Sequence, residues 1–494
     1  MTVGFWEHSL QSPDRVALVA ADGRSTTFGA LRAWSDSLSM GMLARGLRPG
    51  DRVAVVLGNE PAFVAVQLAT EQLGLDLVPV NRHLSLAEIR HILGDCEPAL
   101  LVAGAEYTEV AFAAAREAGV PEPACFAVAD LGRLEGPGTP EHRLLGGTML
   151  YTSGTTGAPK GVRRSRPAVT PEEGLRVRLA RSTERYGWPA GAGVHLVVAP
   201  LYHAAPNGFA LSALHRGHTV VLMARFRPEL FLELVARHRV TSTHMVPTMF
   251  HRLLGLPEEI RTGHDVSSLN FVVHAGAPCP LHEKAAMMDW LGPVVVEYYS
   301  STEGGGTSVG PDEWRARPGT VGRAWPGTEV RILDDEGREV PPGTIGGVYL
   351  RNGERFEYFR DPEKTARAWR DGFFTPGDVG SVDADGYLFL ADRRVDMILS
   401  GGVNIYPAEV EHALLLHPAV ADVGVIGVPD AEWGHRVHAV VELTDAAEAG
   451  DALRAEILDL AAMSLARFKL PRSIEFGPVP RTETGKLRRR SLRT

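Results

Sequence analysis

The sequence predicts an α/β protein: a large N-terminal domain of layered α/β subdomains with a small β subdomain, then a small α+β C-terminal domain. Three observations predict it. Strand-like apolar runs alternate with helical runs through the first half of the chain, the pattern of parallel α/β layers. From about Gly319, short strands with Gly-rich turns replace that alternation. After "DRRVD" comes a helix–strand–strand–helix–strand set of about 100 residues, the size of a separate domain. A chain of 494 residues exceeds what one core organises, and the division falls at 1–393 and 394–494.

The elements follow in order. "DRVAVVLGN" is a continuous apolar run, as in a strand buried on both faces. "PAFVAVQLATEQLG" has helical spacing, with Pro61 near its start where a missing N–H costs little. "LDLVPVN", "PALLVAG", "VHLVVAPLYH", "HTVVLMARF", "VTSTHMVP" and "LNFVVHAGAP" read as further strands, and "PELFLELVARH" as a helix between them. "TEVRILD", "IGGVYLRN" and "GYLFLAD" are the short strands of the β subdomain. In the last unit "AEVEHALLLHP" and "ALRAEILDLAAMSLA" are helices, while "VADVGVIGVP", "HRVHAVVEL" and "RSIEFG" are strands.

Composition bounds the function. Apolar residues make up 44% and charged residues 22%, ordinary for a globular protein. A net charge of −9 argues against a general nucleic-acid binder, whose footprint is basic. The three cysteines, Cys96, Cys125 and Cys279, show neither metal spacing nor an even framework, which suits a reducing interior. The N-terminal stretch lacks a signal-peptide pattern, and no run approaches the roughly 20 apolar residues of a bilayer span. The expectation is a cytoplasmic enzyme with no integral membrane segment.

Against that acidic background one loop stands out. "YTSGTTGAPKGV" places Thr152, Ser153, Gly154, Thr155, Thr156 and Gly157 in succession, then Lys160. Glycines let backbone N–H groups approach a ligand, hydroxyls add donors, and the lysine adds charge, a set that fits phosphate oxygens. It is not the G-x-x-x-x-G-K-[ST] loop: Pro159 stands at the second glycine, Gly161 follows the lysine, and no helix pattern follows. A flexible surface loop is the plain alternative, but the preceding "GGTMLY" is strand-like and the loop ends in a rigid Pro-Lys.

Other segments carry chemistry-bearing residues. "VVVEYYSSTEGGG" runs a strand into Tyr299, which could stack on a base, and Glu303, whose carboxylate could hold magnesium. "GFFTPGDVG" supplies Asp378, "DRRVDMILSGGVNIYPAEVE" supplies Arg393 and a glycine pair, and "PRTETGKLRRR" supplies Lys486. Singly these are a turn residue, a surface charge and a tail lysine.

In this order, however, the segments closely resemble the adenylate-forming superfamily of acyl-CoA synthetases, adenylation domains and firefly luciferase. Five motifs, "YTSGTTGAPKG", "YYSSTEG", "TPGD", "DRRVDMILSGGVNIYPAEVE" and "RTETGK", keep family-like separations along essentially the whole chain. The look is nearest to bacterial fatty-acyl and steroid- or bile-acid-type CoA ligases.

The resemblance implies an ATP- and CoA-dependent ligase that makes acyl-AMP and pyrophosphate, then acyl-CoA and AMP. It implies that the 152–157 loop and Lys160 clamp the phosphates. Gly276, Ala277, Pro278 and Tyr299, with Tyr298 beside it, enclose the adenine, and Glu297 faces its amino group. Thr302 meets the α-phosphate and Glu303 the Mg2+, while Asp378 and Arg393 hold the ribose. Lys486 bridges the substrate carboxylate and the α-phosphate, and His203 gates the acyl site. Tyr202, Ala204, Asn207, Met249, Gly304 and Gly305 line that site. In the second step the mobile C-terminal domain turns, and Gly401, Gly402 and Val403 form the CoA channel. The resemblance also allows a homodimer.

Three positions depart from the family pattern: Ser300 in place of a glycine, Pro376 within the usual Thr-Gly-Asp, and Val395 at the hinge, usually Asp or Lys. The small residues Ala204, Ala205, Ala275, Gly276 and Gly304 to Gly306 leave volume, so a hydrophobic, bulky or long acid is expected. A carrier-protein phosphopantetheine thiol is the alternative acceptor. A luciferase-like oxygenase shares every motif, and a catalytically inactive nucleotide-binding regulator is the rival of a different class. Retention of both Glu303 and Lys486 argues against the regulator.

Overall fold

The structure, a computed structural model, describes residues 4–152, 159–393, 396–400, 403–430, 433–444, 447–482 and 485–492. Its N-terminal part is built on two sheets. One has five parallel strands in the spatial order Cys125–Ala127, Leu100–Ala103, Arg52–Val56, Asp76–Pro79 and Gly147–Thr148. The other has a parallel centre, Thr219–Leu222, Val194–Val197, Ser242–Met245, Phe271–His274 and Val295–Ser301.

Both sheets are covered on both faces, which is why their strands read as unbroken apolar runs. Val53 and Val55 face a core shared with Leu18, Val220 and Val273 of the second sheet, while Ala54 and Val56 face Ile89 and Ile92 on the outside. The helix Pro61–Gln72 lies in the shared core, and every residue from Ala62 to Gln72 is buried. Its polar side chains are therefore bonded inside the core, with Gln72 Oε1 left without a partner among the described residues. Gln72 bonds Asp36 and Ser39, and Glu71 accepts from His215 and Arg178 at 2.8 Å each. On the far side of the second sheet, Leu196, Val221 and Val272 pack with Phe231, Phe250 and Met287.

The β subdomain continues the second sheet. Past Val295–Ser301 the strands become antiparallel, through Gly304–Val309, Gly322–Ala324 and Tyr387–Arg393 to Asp378–Val382 and Gly346–Arg351. Ile332, Val348, Leu350, Phe356, Phe374 and Leu388 form its own core. A three-stranded sheet joins Leu150–Thr152, Lys160–Arg164 and Phe356–Tyr358.

The C-terminal unit follows the expected order: helix Pro407–Leu414, strands Val420–Asp430 and Gly434–Leu443, helix Asp451–Ala462 and strand Ser473–Phe476. A short pair, Ile398–Ser400 with Val403–Ile405, adds to its sheet. Val410, Val423, Val441 and Ile457 are among its core residues. No helix among the described residues is long and apolar enough to cross a membrane.

Candidate active site

Four adjacent parallel strands of the second sheet end along one edge. The segments after three of them carry His203, Thr248 and Gly276, and the fourth carries Tyr299 near its own end, so these residues gather at the carboxyl ends of the strands, where open α/β sheets bind ligands. Gly276 takes φ 92°, a turn that an L side chain rarely adopts, and Gly276 and Pro278 are exposed.

The phosphate-type loop bridges two strands. Thr152 pairs with Lys160 and Tyr151 with Gly161, an antiparallel hairpin in place of a strand-to-helix turn. Ser153, Gly154, Thr155, Thr156 and Gly157, with the Thr152 side chain, lie outside the described residues. Lys160 Nζ stands 3.5 Å from Asp361 Oδ2.

Thr302 and Glu303 form the tip of a second hairpin, in which Ser301 opposes Gly304. Positive φ at Gly304 (123°) and Gly305 (66°) closes it. Ser300 Oγ donates across the hairpin to the Gly305 carbonyl at 2.6 Å, which gives a structural role to the serine that departs from the family pattern. Tyr358 donates to Glu303 Oε1 at 2.9 Å. Arg164 donates twice to the Thr302 carbonyl, from Nε at 3.2 Å and Nη2 at 2.8 Å.

Tyr299 and Tyr298 part company because successive strand residues face opposite sides. Tyr299 donates to Asp378 Oδ2 at 2.6 Å, and Asp378 is the cross-strand partner of Arg393, whose side chain lies outside the described residues. Tyr298 is buried instead among Tyr186, Phe209, His244 and Trp325, so its ring does not join Tyr299 against a base. Glu297 is likewise enclosed. Its carboxylate is bonded to the buried Lys284, with His274 Nε2 3.7 Å away. Burial raises its pKa, and an adenine amino group would have to displace a buried lysine.

His203 sits at the start of helix Ala204–His215, its ring 4.4 Å from that of Tyr202. Burial, the nearby Lys486 charge and His244 lower its pKa to about 3, so the imidazole is neutral. Lys486 is thus brought to the same edge. Its own N–H is bonded to Thr482 Oγ1 at 3.0 Å, and a Cβ added at Gly485 would lie 2.5 Å from Thr248 Oγ1. Gly485 of the C-terminal unit is thus packed directly against Thr248 beyond the strand end.

Several expected acyl contacts are relocated. Met249 is 2% exposed and belongs to the core on the opposite face of the sheet. Asn207 is buried, with reciprocal bonds to Gln67 at 2.6 and 3.0 Å and a third to the Leu201 carbonyl at 3.1 Å, which occupy both of its N–H donors, and it keeps its place on the cavity wall beside Ala204. A side chain at Gly305 would meet Leu350 and Phe374 of the small β core, and one at Gly304 would meet Asn352. Ala204 remains exposed. With Gly208, Leu211, Thr148, Leu150 and Arg178 it lines a cavity of about 160 Å³. Val395, Gly401, Gly402 and the side chain of Val403 lie outside the described residues.

Sequence reasoning missed Arg164, Tyr358 and Asp361. The signal available was local: "DPEK" is a helix start, with Asp361 as its cap and Pro362 in the first turn.

A crevice at the ends of parallel strands, entered by a lysine from a small second domain, is the arrangement of a two-domain nucleotide-binding enzyme. The chain belongs to the family described as AMP-binding enzyme, which matches residues 5–356, with the AMP-binding enzyme C-terminal domain over 409–486. It is 36% identical to a feruloyl-CoA synthase from Amycolatopsis sp, over 99% of this chain and 98% of that one. It is 34% identical to the fatty acid–[acyl-carrier-protein] ligase ScoC from Streptomyces coeruleorubidus, over 98% and 94%. Its fold superposes with a TM-score of 0.83 on the o-succinylbenzoate CoA synthetase MenE from Bacillus subtilis bound to its acyl-adenylate, at 28% identity over 99% and 97% of the two chains. The protein is an ATP-dependent acyl-CoA ligase.

Proposed function

We propose that this ligase activates a compact hydrophobic acid, aromatic in its simplest form, at the crevice where Lys486 meets His203. The convergence of Lys486, His203, Thr248 and Tyr299 on one edge carries the assignment of the site. The 160 Å³ cavity lined by Ala204, the residue after His203, supports a compact acyl group, since sites for larger ligands run to roughly 300–1,000 Å³. Similarity to a feruloyl-CoA synthase agrees with an aromatic acid.

In the first step a carboxylate oxygen attacks the α-phosphorus, forming a P–O bond as the bond to pyrophosphate breaks. Lys486 neutralises charge on both reacting groups, and Lys160 meets the departing phosphates. Tyr299 stacks the base while Asp378 accepts the ribose hydroxyls. In the second step a thiol attacks the acyl carbon and AMP leaves, after Lys486 withdraws with a mobile C-terminal domain divided from the rest near 393/394. Neutral His203 adds no charge to the acyl side.

Glu303 fits a divalent ion: Tyr358 holds Oε1, while Oε2 has no protein hydrogen bond among the described residues and can serve as a hard oxygen ligand. Bound there, magnesium would supply positive charge to the phosphates. Tyr358 fixes the carboxylate in advance of its arrival.

The test is a panel of carboxylic acids graded in length and ring content, scored by AMP release with free CoA or with a phosphopantetheinylated carrier protein. Best turnover on aryl or arylpropenoic acids with free CoA is expected. A preference for long-chain acids would refute the compact pocket. The carrier protein as sole acceptor would favour the second reading, which the similarity to ScoC supports.

A further inference from the structure

The phosphate-loop lysine has an anionic partner within the protein. Lys160 Nζ lies 3.5 Å from Asp361 Oδ2, and both side chains are partly buried. The carboxylate is held there from two directions. Oδ1 accepts from Lys364 N at 3.0 Å as the cap of helix Pro362–Ala368, which leaves Oδ2 toward the lysine. The backbone is tied as well: Phe359 N donates to the Gly161 carbonyl at 2.8 Å, and Tyr358 pairs with Val162, so Asp361 is fixed relative to the strand carrying Lys160. The same segment places Tyr358 against Glu303. A carboxylate at this point competes with a polyphosphate: it draws on the ammonium that the phosphates would use, and its charge repels theirs.

We propose that Asp361 is a placeholder for the terminal phosphates of ATP. It holds Lys160 in position in the empty site, yields the lysine when phosphates arrive, and reclaims it as pyrophosphate leaves. Partly exposed ion pairs contribute little to stability, so the exchange costs little. The carboxylate thereby weakens the binding of ATP and pyrophosphate alike and keeps product release fast. This rests on the reading that Lys160 meets those phosphates.

Asp361→Asn separates the charge from the cap, since asparagine caps a helix start as well as aspartate. Calorimetric titration of the full-length protein with magnesium pyrophosphate and with magnesium ATP should show roughly three- to thirty-fold tighter binding of both in Asp361→Asn. Asp361→Ser, a second capping residue without charge, should behave alike and serves if the asparagine variant does not fold. In a Lys160→Ala background the gain should shrink, because no lysine remains to be released. Unchanged or weaker pyrophosphate affinity in both Asp361 variants, with Lys160→Ala still weak, overturns the placeholder while leaving the phosphate role of Lys160 standing. Unchanged affinity in Lys160→Ala alone refutes that underlying role, and the proposal falls with it.

Discussion

Tyr299 and Asp378 are joined by a hydrogen bond of 2.6 Å between phenol and carboxylate, linking the last parallel strand to the β subdomain. The bond is charge-assisted and fixes both groups where the base and the sugar of a nucleotide would lie. Tyr299→Phe keeps the ring and removes this tie. A lost hydrogen bond of this kind amounts to about 1–2 kcal/mol, so the KM for ATP should rise about five- to thirty-fold with the KM for the acid unmoved. Asp378→Ala should cost more, because the ribose contact goes too. Equal ATP KM values for Tyr299→Phe and the wild type would show that the bond positions nothing.

Gly485 gives a way to displace Lys486 without removing it. Its φ is 73°, and an added Cβ would collide with Thr248 at 2.5–3.2 Å. Gly485→Val should therefore push the turn off the strand ends. Pyrophosphate exchange should fall by about 10²–10³, as it should in Lys486→Ala, while thioester formation from supplied acyl adenylate survives in both. Equal losses in the two half-reactions would remove Lys486 from the first step.

Acid should destabilise the protein earlier than carboxylate titration would. Burial lowers the pKa of His195, His203 and His244 to about 3 and of His218 to about 4. These groups are neutral when folded but protonate near pH 6.5 when unfolded, so their stability is full above 6.5 and is lost as pH falls toward the folded values. His251, raised by its bond to Glu283, opposes them only above pH 6.5, because at lower pH it is protonated in both states. Each histidine held neutral adds a slope of about 1.4 kcal/mol per pH unit near pH 5. Glu71 adds a later loss: burial alone would raise it, but His215 and Arg178 hold it at about 2, so its contribution goes only between pH 4.5 and 2. Urea unfolding at pH 7.5, 6 and 5 measures the slope, and His195→Phe should flatten it by about 1.4 kcal/mol per unit. A flat profile from 7.5 to 5 would refute this account.

What the sequence discloses depends on the distance between partners. The runs around Val53, Val197 and Val272 announce buried strands because both faces of each are covered, and the order of elements follows from that. Some of the segments that meet at the crevice are legible too, since those carrying His203, Thr248 and Gly276 follow such strands. Side-chain direction within a motif is harder. Tyr298 and Tyr299 are equal as letters, and only strand parity turns one to the core and the other to Asp378. Arg164, Tyr358 and Asp361 are invisible to local reading because Val162 pairs with Tyr358 across nearly 200 positions. The glycine run after Glu303 looks like pocket wall, yet its purpose is the tight hairpin, with the space beyond it filled by Leu350 and Phe374.

That last correction moves the test of acyl size from one glycine to another. Gly305→Trp would drive a ring into the small β core at a φ of 66°, so it should lower the melting temperature and all half-reactions together without altering preference among acids. Gly208 has the opposite surroundings. It follows Ala204 by one helical turn, both line the 160 Å³ cavity, and a Cβ added at Gly208 would meet nothing within 4 Å. Helix geometry there is ordinary, so Gly208→Ala should stabilise the protein by about 0.5–1 kcal/mol while trimming the cavity. Gly208→Phe should fill it. The expected result is a fall of about ten-fold or more in kcat/KM for the largest accepted acid, with the smallest acids and pyrophosphate binding little changed. Kinetics across a homologous series of acids reads this directly. An unaltered preference in a folded Gly208→Phe would place the acyl group on another wall of the crevice, and the compact-acid reading would go with it.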